Sequence, residues 1–394
     1  MSHLVFISHD ATRTGAPIVL LHLLRQLKKQ QACDFSVVLL NGGELEGEFK
    51  KVAPTYVWTL HFQTEVVWKR YARRLLAGSP ASAQRRHQRA ILAALQPKKV
   101  SLIYGNTVVS GELAVHLKQE LQCPAVCHVH ELEIAIERYF GTARFGALLP
   151  QLDLIIAASE AVRDNITQTY SFPIARVAKV YEFVPEANEV AQKLNPTEIR
   201  QALGIPPDKL VVAASGTLDW RKSPDLFVQL ASYVHRLTND MPFFVWVGGD
   251  NSLLAWNELQ YELRRLGIAE FVKFIGAQPN PLDYIRLADV FVLTSREDPY
   301  PLVCLEAATL GKPVVCFEQS GGMPEFVDGD CGAVVPFLGV DKMAQAVYHL
   351  LTHPDIREQL GHNARRKVRA QHSVEAATTQ IIEHLAPLLR KHNS

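Results

Sequence analysis

Short runs of consecutive apolar residues recur along the chain, separated by longer stretches of helical character. The runs lie at 4–8, 35–40, 56–60, 100–104, 125–130, 154–158 and 177–183, and then at 210–215, 243–248, 271–275, 290–294, 314–317 and 333–335. Runs this short, apolar on successive positions, suit strands buried on both faces of a parallel sheet. Parallel strands need crossover connections, and the helical stretches between the runs supply them. The pattern therefore predicts an α/β chain in which two doubly wound, Rossmann-like sheets follow one another.

The passage from one sheet to the next falls in 184–208, which holds Pro185, Pro196, Pro206 and Pro207. A short helix over 197–203, closed by Gly204, sits within it. The last stretch is helical again. His372-Ser373-Val374-Glu375 supplies a cap, and Ala377, Ile381, Ile382, Leu385 and Leu389 form one apolar stripe.

Composition narrows the class. The chain has 394 residues, 48% hydrophobic and 21% charged, which excludes a mainly disordered protein. A formal net charge of +1 gives no reason to expect nucleic acid. No apolar run approaches the length of a membrane span. The opening MSHLVFISHD lacks the features of a leader and reads as a first strand. Six cysteines, mostly inside apolar runs, point to buried thiols in a reducing compartment, so a cytoplasmic location is expected. One segment departs from the even charge. Between 66 and 111 there is no acidic residue, while Lys69, Arg70, Arg73, Arg74, Arg85, Arg86, Arg89, Lys98 and Lys99 are basic, with Trp58, Trp68 and Tyr71 near its start. A helix over 68–76 would suit an anionic membrane surface at the cytosolic face, an anionic acceptor, or a plain solvated basic face.

In open α/β sheets ligands bind beyond the carboxyl ends of the strands, so the residues just after each strand carry the chemistry. The first such loop is Asp10-Ala-Thr-Arg-Thr-Gly-Ala-Pro17, ahead of a helix over 18–27. Gly15 near a helix start admits an anion, or marks an ordinary turn. It is not G-x-G-x-x-G, so the dinucleotide fingerprint is missing. The second is Cys127-His-Val-His-Glu131. Strand alternation puts Cys123 and Cys127 on one face and His128 and His130 on the other, which disfavours a shared zinc. His130 is a hydrogen-bonding group at the strand end or a packing residue. The third is Ser215-Gly-Thr-Leu-Asp-Trp-Arg-Lys222-Ser-Pro. A glycine turn followed by Arg221 and Lys222 ahead of a helix at Pro224 suits a phosphate, or is a solvated basic pair. The fourth is Thr294-Ser-Arg-Glu-Asp298-Pro-Tyr-Pro-Leu-Val-Cys-Leu-Glu306. Its helix begins at Pro301, so the amides of Leu302, Val303 and Cys304 are open to a phosphate. Asp298 and Glu306 flank that start, for sugar hydroxyls or as simple caps. The fifth is Ser320-Gly-Gly-Met-Pro-Glu325, a close backbone approach or an ordinary turn. Two other patterns are set aside. Asp328-Gly-Asp330 has the spacing of a metal-binding pair but reads as a β-turn, and Asn165-Ile-Thr167 is a glycosylation sequon with nothing to suggest secretion.

Together these elements resemble a retaining glycosyltransferase of family 4, among the group 1 glycosyl transferases, with the GT-B fold. Gly216 and Lys222 match the family's Gly-x5-Lys element. Asp298 and Glu306 match the spacing of its E-x7-E element, and Gly321, Gly322, Pro324 and Glu325 match Gly-Gly-x-Pro-Glu. Asp355-Ile-Arg-Glu-Gln-Leu-Gly, the Thr-Gly-Ala-Pro loop and His130-Glu131 also resemble family positions. Two positions depart from the pattern. Asp298 stands where the family has glutamate, unless Glu297 takes that role, and Thr217 stands where an arginine often follows the glycine, leaving Arg221 to compensate.

The resemblance implies an acceptor-binding domain over 1–184, a nucleotide-sugar-binding domain over 185–370 facing it across a cleft, and a helix over 371–394 returning to the first. It implies transfer of a hexose-type sugar from a nucleoside diphosphate, with retention, to a glycan, lipid or other hydroxyl acceptor, without metal or other cofactor. Lys222, Arg221 and the amides after Pro301 would hold the diphosphate; Glu306 the ribose; Asp298 and His130 the sugar. Gly15, Gly216, Gly321 and Gly322 would leave room for the donor. A nucleotide-sugar epimerase or hydrolase of the same fold, or a degenerate binding subunit, are the alternatives. A pyridoxal-phosphate phosphorylase would need a far larger chain, and a dehydrogenase would need the missing glycine fingerprint.

Overall fold

The computed structural model describes residues 2–60, 80–186, 194–250 and 254–393. Strands form where the doubly buried runs lie. They are β1 (His3–Ser8), β2 (Asp34–Leu39), β3 (Thr55–Val57), β4 (Val100–Asn106), β5 (Ala125–Val129), β6 (Leu154–Ala157), β7 (Val177–Lys179), β8 (Val211–Ser215), β9 (Phe243–Val247), β10 (Val272–Phe274), β11 (Val290–Leu293), β12 (Val314–Phe317) and β13 (Gly332–Val335). Each predicted run overlaps one of them, with ends that differ by a few residues at most. They build a seven-stranded sheet of order β3-β2-β1-β4-β5-β6-β7 and a six-stranded sheet of order β10-β9-β8-β11-β12-β13. All the pairings are parallel. In each sheet the winding reverses once, between β1 and β4 and between β8 and β11. Helices leave the two strands at such a point toward opposite faces, which opens a crevice at their carboxyl ends.

Two compact units result. One comprises Met1–Ala158, Arg163–Val180 and Thr378–Ser394, the other Ser159–Val162 and Tyr181–Ala377. In the second unit the period of two is plain. Val212, Ala214, Val290, Val292, Val315 and Phe317 pack on one side with Phe227, Trp246 and Val347. Ala213, Phe291, Leu293, Val314 and Cys316 pack on the other with Leu305, Phe326 and Val368. The six cysteines are free thiols, all buried except the half-buried Cys33.

Element ends follow local chemistry. The Asn195 side chain accepts from the Thr197 amide at 2.9 Å, and Gly204, at φ 67°, closes the helix Pro196–Leu203. Ser373 Oγ accepts from the Ala376 amide at 3.2 Å at the start of the helix Val374–Asn393, whose Ala377, Ile381 and Leu385 are buried. Two boundaries differ from expectation. The first helix runs Gly15–Gln30, because the Ile18 amide bonds back to the Thr14 carbonyl at 3.3 Å. Gly15 is thus the first helical residue, not a turn ahead of it. β4 continues to Asn106, held in register by Ser8 of β1 and His128 of β5. The predicted basic helix over 68–76 lies outside the described residues. Among those described, no helix is long and apolar enough to cross a membrane.

Candidate functional site

The switch point of the second sheet places the loops after β8 and β11 side by side. β8 ends at Ser215 and the chain turns at Gly216. A Cβ on Gly216 would lie 2.9 Å from Lys222 Cγ and 3.0 Å from its Cδ, so the missing side chain is what lets the lysine stem cross the turn. The turn is also pressed from β9. A Cβ on Gly248, at φ 112°, would lie 2.5 Å from the Gly216 carbonyl oxygen, to which Trp246 Nε1 donates at 3.0 Å. The rest of the loop folds on Asp219. Its carboxylate accepts from the Lys222 amide at 3.0 Å and from Thr217 Oγ1 at 2.7 Å. Thr217 therefore serves the loop. Ser223, fully buried at φ 56°, leads into the helix Pro224–Leu237.

The loop after β11 is tied to this one. The Arg296 amide donates to the Arg221 carbonyl at 2.9 Å, and Thr294 Oγ1 donates to the Lys222 and Ser223 carbonyls at 3.2 and 3.1 Å. The Arg296 guanidinium pairs with Asp225 at 2.7 Å and lies over the Trp220 ring. These bonds seat both cations on Asp298. Lys222 Nζ is 2.5 Å from Asp298 Oδ2, Arg221 Nη1 is 3.2 Å from Oδ1, and Ser295 Oγ donates to Oδ2 at 3.2 Å. Asp298 is 4% exposed. Burial alone pushes its carboxyl up, but Lys222 and Arg221 outweigh it and hold the group below the usual carboxylate range. The cluster of two cations and one anion keeps a net positive charge, and Lys222 has three donors of which Asp298 takes one. Glu297 contributes its carbonyl to Arg221 at 3.2 Å, so it is Asp298 whose carboxylate occupies the cluster. The sugar-binding role that the resemblance implies for Asp298 thus meets a carboxylate already shared by three donors.

The loop after β12 closes the group. The Asp298 amide donates to the Ser320 carbonyl at 2.6 Å, and the Gly322 amide to the Pro299 carbonyl at 3.0 Å. A Cβ on Gly322 would lie 2.5 Å from that same carbonyl oxygen, and Gly321 sits at φ 129°. Glu325 does something the local pattern does not show. Its two oxygens accept from the Glu160 and Ala161 amides at 3.0 Å each, capping the short helix Glu160–Asp164. The helix Leu302–Thr309 begins after Pro301 as predicted. Of the three amides expected to be open, that of Cys304 is taken by the Pro301 carbonyl at 3.1 Å. Leu302 and Val303 keep amides without a partner among the described residues. Glu306 is half-buried, has no side-chain hydrogen bond or ion pair among the described residues, and is pushed up to about 7 by burial. The Cys304 thiol is buried beside this group. Burial raises it first, and Asp298, Lys222 and Glu306 all act on it as well. Asp328, at φ 36°, closes the helix Met323–Val327, and Asp330 pairs with Lys367 at 3.2 Å.

In the first unit the switch point gathers the ends of β1, β4 and β5. His130 Nε2 lies 2.8 Å from Asn106 Oδ1. Asn106 Nδ2 donates to the Ala16 carbonyl at 2.9 Å, which turns Oδ1 toward the histidine and places the proton on Nε2. The His130 ring lies against that of His128, with centroids 4.0 Å apart, and His128 Nδ1 is 2.7 Å from the Tyr104 hydroxyl. Glu131 accepts from the His130 amide at 2.8 Å. Around them Ser8 Oγ, His9 Nδ1, Thr107 Oγ1 and His128 Nε2 are buried with no partner among the described residues. So many unmet polar atoms at one sheet edge call for water or a ligand. Gly15 is exposed at the start of the neighbouring helix.

Residues 195–367 match the model for glycosyl transferases group 1, and residues 13–187 match that for glycosyltransferase family 4. The chain belongs to the group 1, family 4 glycosyltransferases. Among relatives of this family, the D-inositol 3-phosphate glycosyltransferase of Kribbella flavida is 30% identical over 217 residues, 53% of this chain and 50% of that protein. The alpha-D-kanosaminyltransferase of Streptomyces kanamyceticus is 26% identical over 230 residues, 58% of each chain. This chain spans about half the length of the curated relatives it matches. The fold is GT-B. Anabaena HepE, solved with UDP, superposes with a TM-score of 0.78 at 19% identity, over 98% of this chain and 100% of that one. Sucrose-phosphate synthase of Thermosynechococcus elongatus superposes with a TM-score of 0.74 at 19% identity, over 99% of this chain and 100% of that one.

The second unit brings together Gly216, Thr217, Arg221, Lys222, Glu297, Asp298, Gly321 and Gly322, with Pro301, Leu302, Val303 and Glu306 on the adjoining helix. Gly15 and His130 belong to the first unit. Sequence reasoning missed Asp219, Gly248, Arg296 and Asn106. Only the glycine pair 248–249 carried a local signal, and it lay at the end of a run read as strand.

Proposed function

We propose that this protein transfers a sugar, with retention, from a nucleoside diphosphate sugar to a hydroxyl acceptor, and that the donor binds at the β8/β11 switch of the second unit. The observation that carries the reading is Lys222, laid across Gly216 and fixed by Asp298, beside a helix start with two amides and a half-buried carboxylate that have no partner among the described residues. Cations and amides suit a diphosphate, and a carboxylate suits ribose hydroxyls. Family membership supports glycosyl transfer, and HepE, solved with UDP and with UDP-glucose, supports the donor class.

The difficult step is departure of a diphosphate from an oxocarbenium-like carbon. Lys222, Arg221 and the Leu302 and Val303 amides offset the charge that develops on the leaving oxygen. A charge-assisted hydrogen bond contributes about 1.5–3 kcal/mol, so two or three reach several decades of rate. Asp298 holds the cations in place. No metal ion is needed for this charge balance. The acceptor belongs to the first unit, where Ser8 Oγ, His9 Nδ1, Thr107 Oγ1 and His128 Nε2 lack partners among the described residues.

A thermal-shift screen of UDP, GDP and ADP sugars identifies the donor, since binding to the native state raises its melting point. Lys222→Ala is then expected to abolish the shift. A variant that keeps the full shift would remove Lys222 from the diphosphate site. Transfer is expected to survive excess chelator. A donor-only incubation that yields free sugar in place of transfer would favour the epimerase or hydrolase reading.

A further inference from the structure

The donor loops leave the carboxyl edge of the second sheet, yet positive charge also accumulates at its amino edge. There the chain enters β12 through Gly311-Lys312-Pro313 and β11 through Asp289. Lys312 is half-buried, and its ammonium has no hydrogen bond or ion pair among the described residues. The charged groups that act on it are Asp289, Arg286, Arg365 and Arg357, three cations against one acid. That acid is already engaged, accepting from the Val211 amide at 2.8 Å and lying 3.9 Å from Arg357. Arg286 adds a buried Nε with no partner among the described residues. Burial first, and then the arginines, keep the Lys312 ammonium below its usual range even with Asp289 opposing them.

The backbone is shaped around this cluster. A Cβ on Gly361 would lie 2.1 Å from the Gly311 carbonyl oxygen, so the helix Pro354–Gln371 is drawn tightly against the turn. A Cβ on Gly311, at φ 73°, would lie 3.0 Å from Arg365 Nη2, and Arg365 Nε donates to the Thr309 carbonyl at 3.1 Å. From Arg365 a groove of about 380 Å³ opens along the helix, lined by His362, Arg366 and Arg369 as well. Arg369 pairs with Glu186 at 3.2 Å, whereas neither Arg365 nor Arg366 has an acidic partner among the described residues.

We infer that this groove is a second anion site, which binds a soluble phosphate-bearing ligand through Arg365 and Arg366, with Lys312 adding positive charge behind Arg365. A phosphate supplies what the cluster lacks: negative charge, and acceptor oxygens matched to guanidinium forks. The lining contains no large apolar side chain, so it suits a soluble ligand over an inserting membrane contact. The four residues of β12 separate the two edges by about 13 Å, so the ligand leaves the donor loops clear. The inference does not rest on the donor reading, and each can fail alone.

The test is calorimetric titration of the full chain with inorganic pyrophosphate at low ionic strength, in the wild type, Lys222→Ala, Lys312→Met and Arg366→Gln. Lys222→Ala is expected to retain a pyrophosphate site, and in that background Lys312→Met and Arg366→Gln are each expected to weaken it about ten-fold or more. Loss of all binding in Lys222→Ala alone, or unchanged binding in the other two, overturns the inference. Arg366 is exposed, so its variant decides the matter should Lys312→Met fail to fold. Sedimentation with phosphatidic acid vesicles supplies the other arm. Vesicle binding that depends on Arg366, with no pyrophosphate binding, would assign the site to a lipid headgroup and overturn the soluble ligand.

Discussion

Asp298 and Glu306 are eight residues apart in sequence, and their surroundings drive them in opposite directions. Asp298 is buried, but two cations keep it ionised. Removing its charge leaves Lys222 and Arg221 together without their counter-ion, so Asp298→Asn is expected to cost about 3 kcal/mol near neutral pH, by urea denaturation. Its folded carboxyl is held below its unfolded range. Its stabilisation is therefore complete above the unfolded value, and is lost as pH falls through the folded one. Glu306 is the reverse case. With its carboxyl at about 7, it is protonated at mildly acid pH, and it destabilises the fold as pH rises from its unfolded value toward 7. Glu306→Gln is expected to raise the melting temperature above that pH and to leave it unchanged at about pH 4, below the unfolded value. Ribose hydroxyls that donate to Glu306 favour the ionised form. Binding of a nucleoside diphosphate sugar should then release a proton near neutral pH, a release absent in Glu306→Gln. Calorimetry in two buffers of different ionisation enthalpy measures it, and equal proton release in both proteins would remove Glu306 from the donor site.

At the scale of elements, the glycine turns separate two kinds of constraint. The Gly216 neighbour is the end of a flexible lysine, whereas Gly248 faces a backbone carbonyl and has a positive φ. Gly216→Ala is therefore expected to fold well and lose diphosphate affinity as Lys222 is displaced. Gly248→Ala is expected to lose at least about 1–3 kcal/mol of stability, because neither its φ nor the carbonyl can yield. Paired melting curves and donor titrations check both. The same contrast explains what was legible in the sequence. Strands were legible because a doubly buried strand is apolar at every position, a local property. The loops after β8, β11 and β12 were legible because glycine, charge and a helix start fell together. Asn106 was missed because its meaning lies in partners at Ala16 and His130, reached only across the sheet. The capping role of Glu325 was not legible because the amides it caps lie 164 and 165 positions away. Likewise, the Cys304 amide was expected to be open because a helix start by itself leaves it so. Glu325→Gln is expected to cost about 1 kcal/mol, the usual loss of a helix cap, without changing donor affinity.

For the molecule as a whole, buried histidines decide the response to acid. In the first unit burial lowers His3, His9, His22 and His128, with His22 at about 4 and His128 well below its usual value. In the second unit His372, at about 4, is the one histidine so shifted among the described residues; its Nδ1 bonds the Glu182 carbonyl at 3.0 Å. A histidine held neutral in the fold but free to protonate when unfolded contributes stability above its unfolded pKa. That contribution is lost as pH falls from the unfolded value toward the folded one. Glu306 opposes His372, since the fold binds its proton over much of the same range. The effects largely cancel in the second unit and accumulate in the first. Acidification from neutral to about pH 5 should therefore loosen the seven-stranded sheet well before the six-stranded one. Pulsed hydrogen exchange at one fixed labelling pH, after equilibration at each condition, reads the two sheets separately. Faster exchange is expected in β1, β4 and β5 while β8, β11 and β12 stay protected. Equal loss in both sheets would mean that the buried histidines do not set the acid limit, and His128→Phe, which removes one such proton and keeps a ring in place, should then leave that limit unmoved.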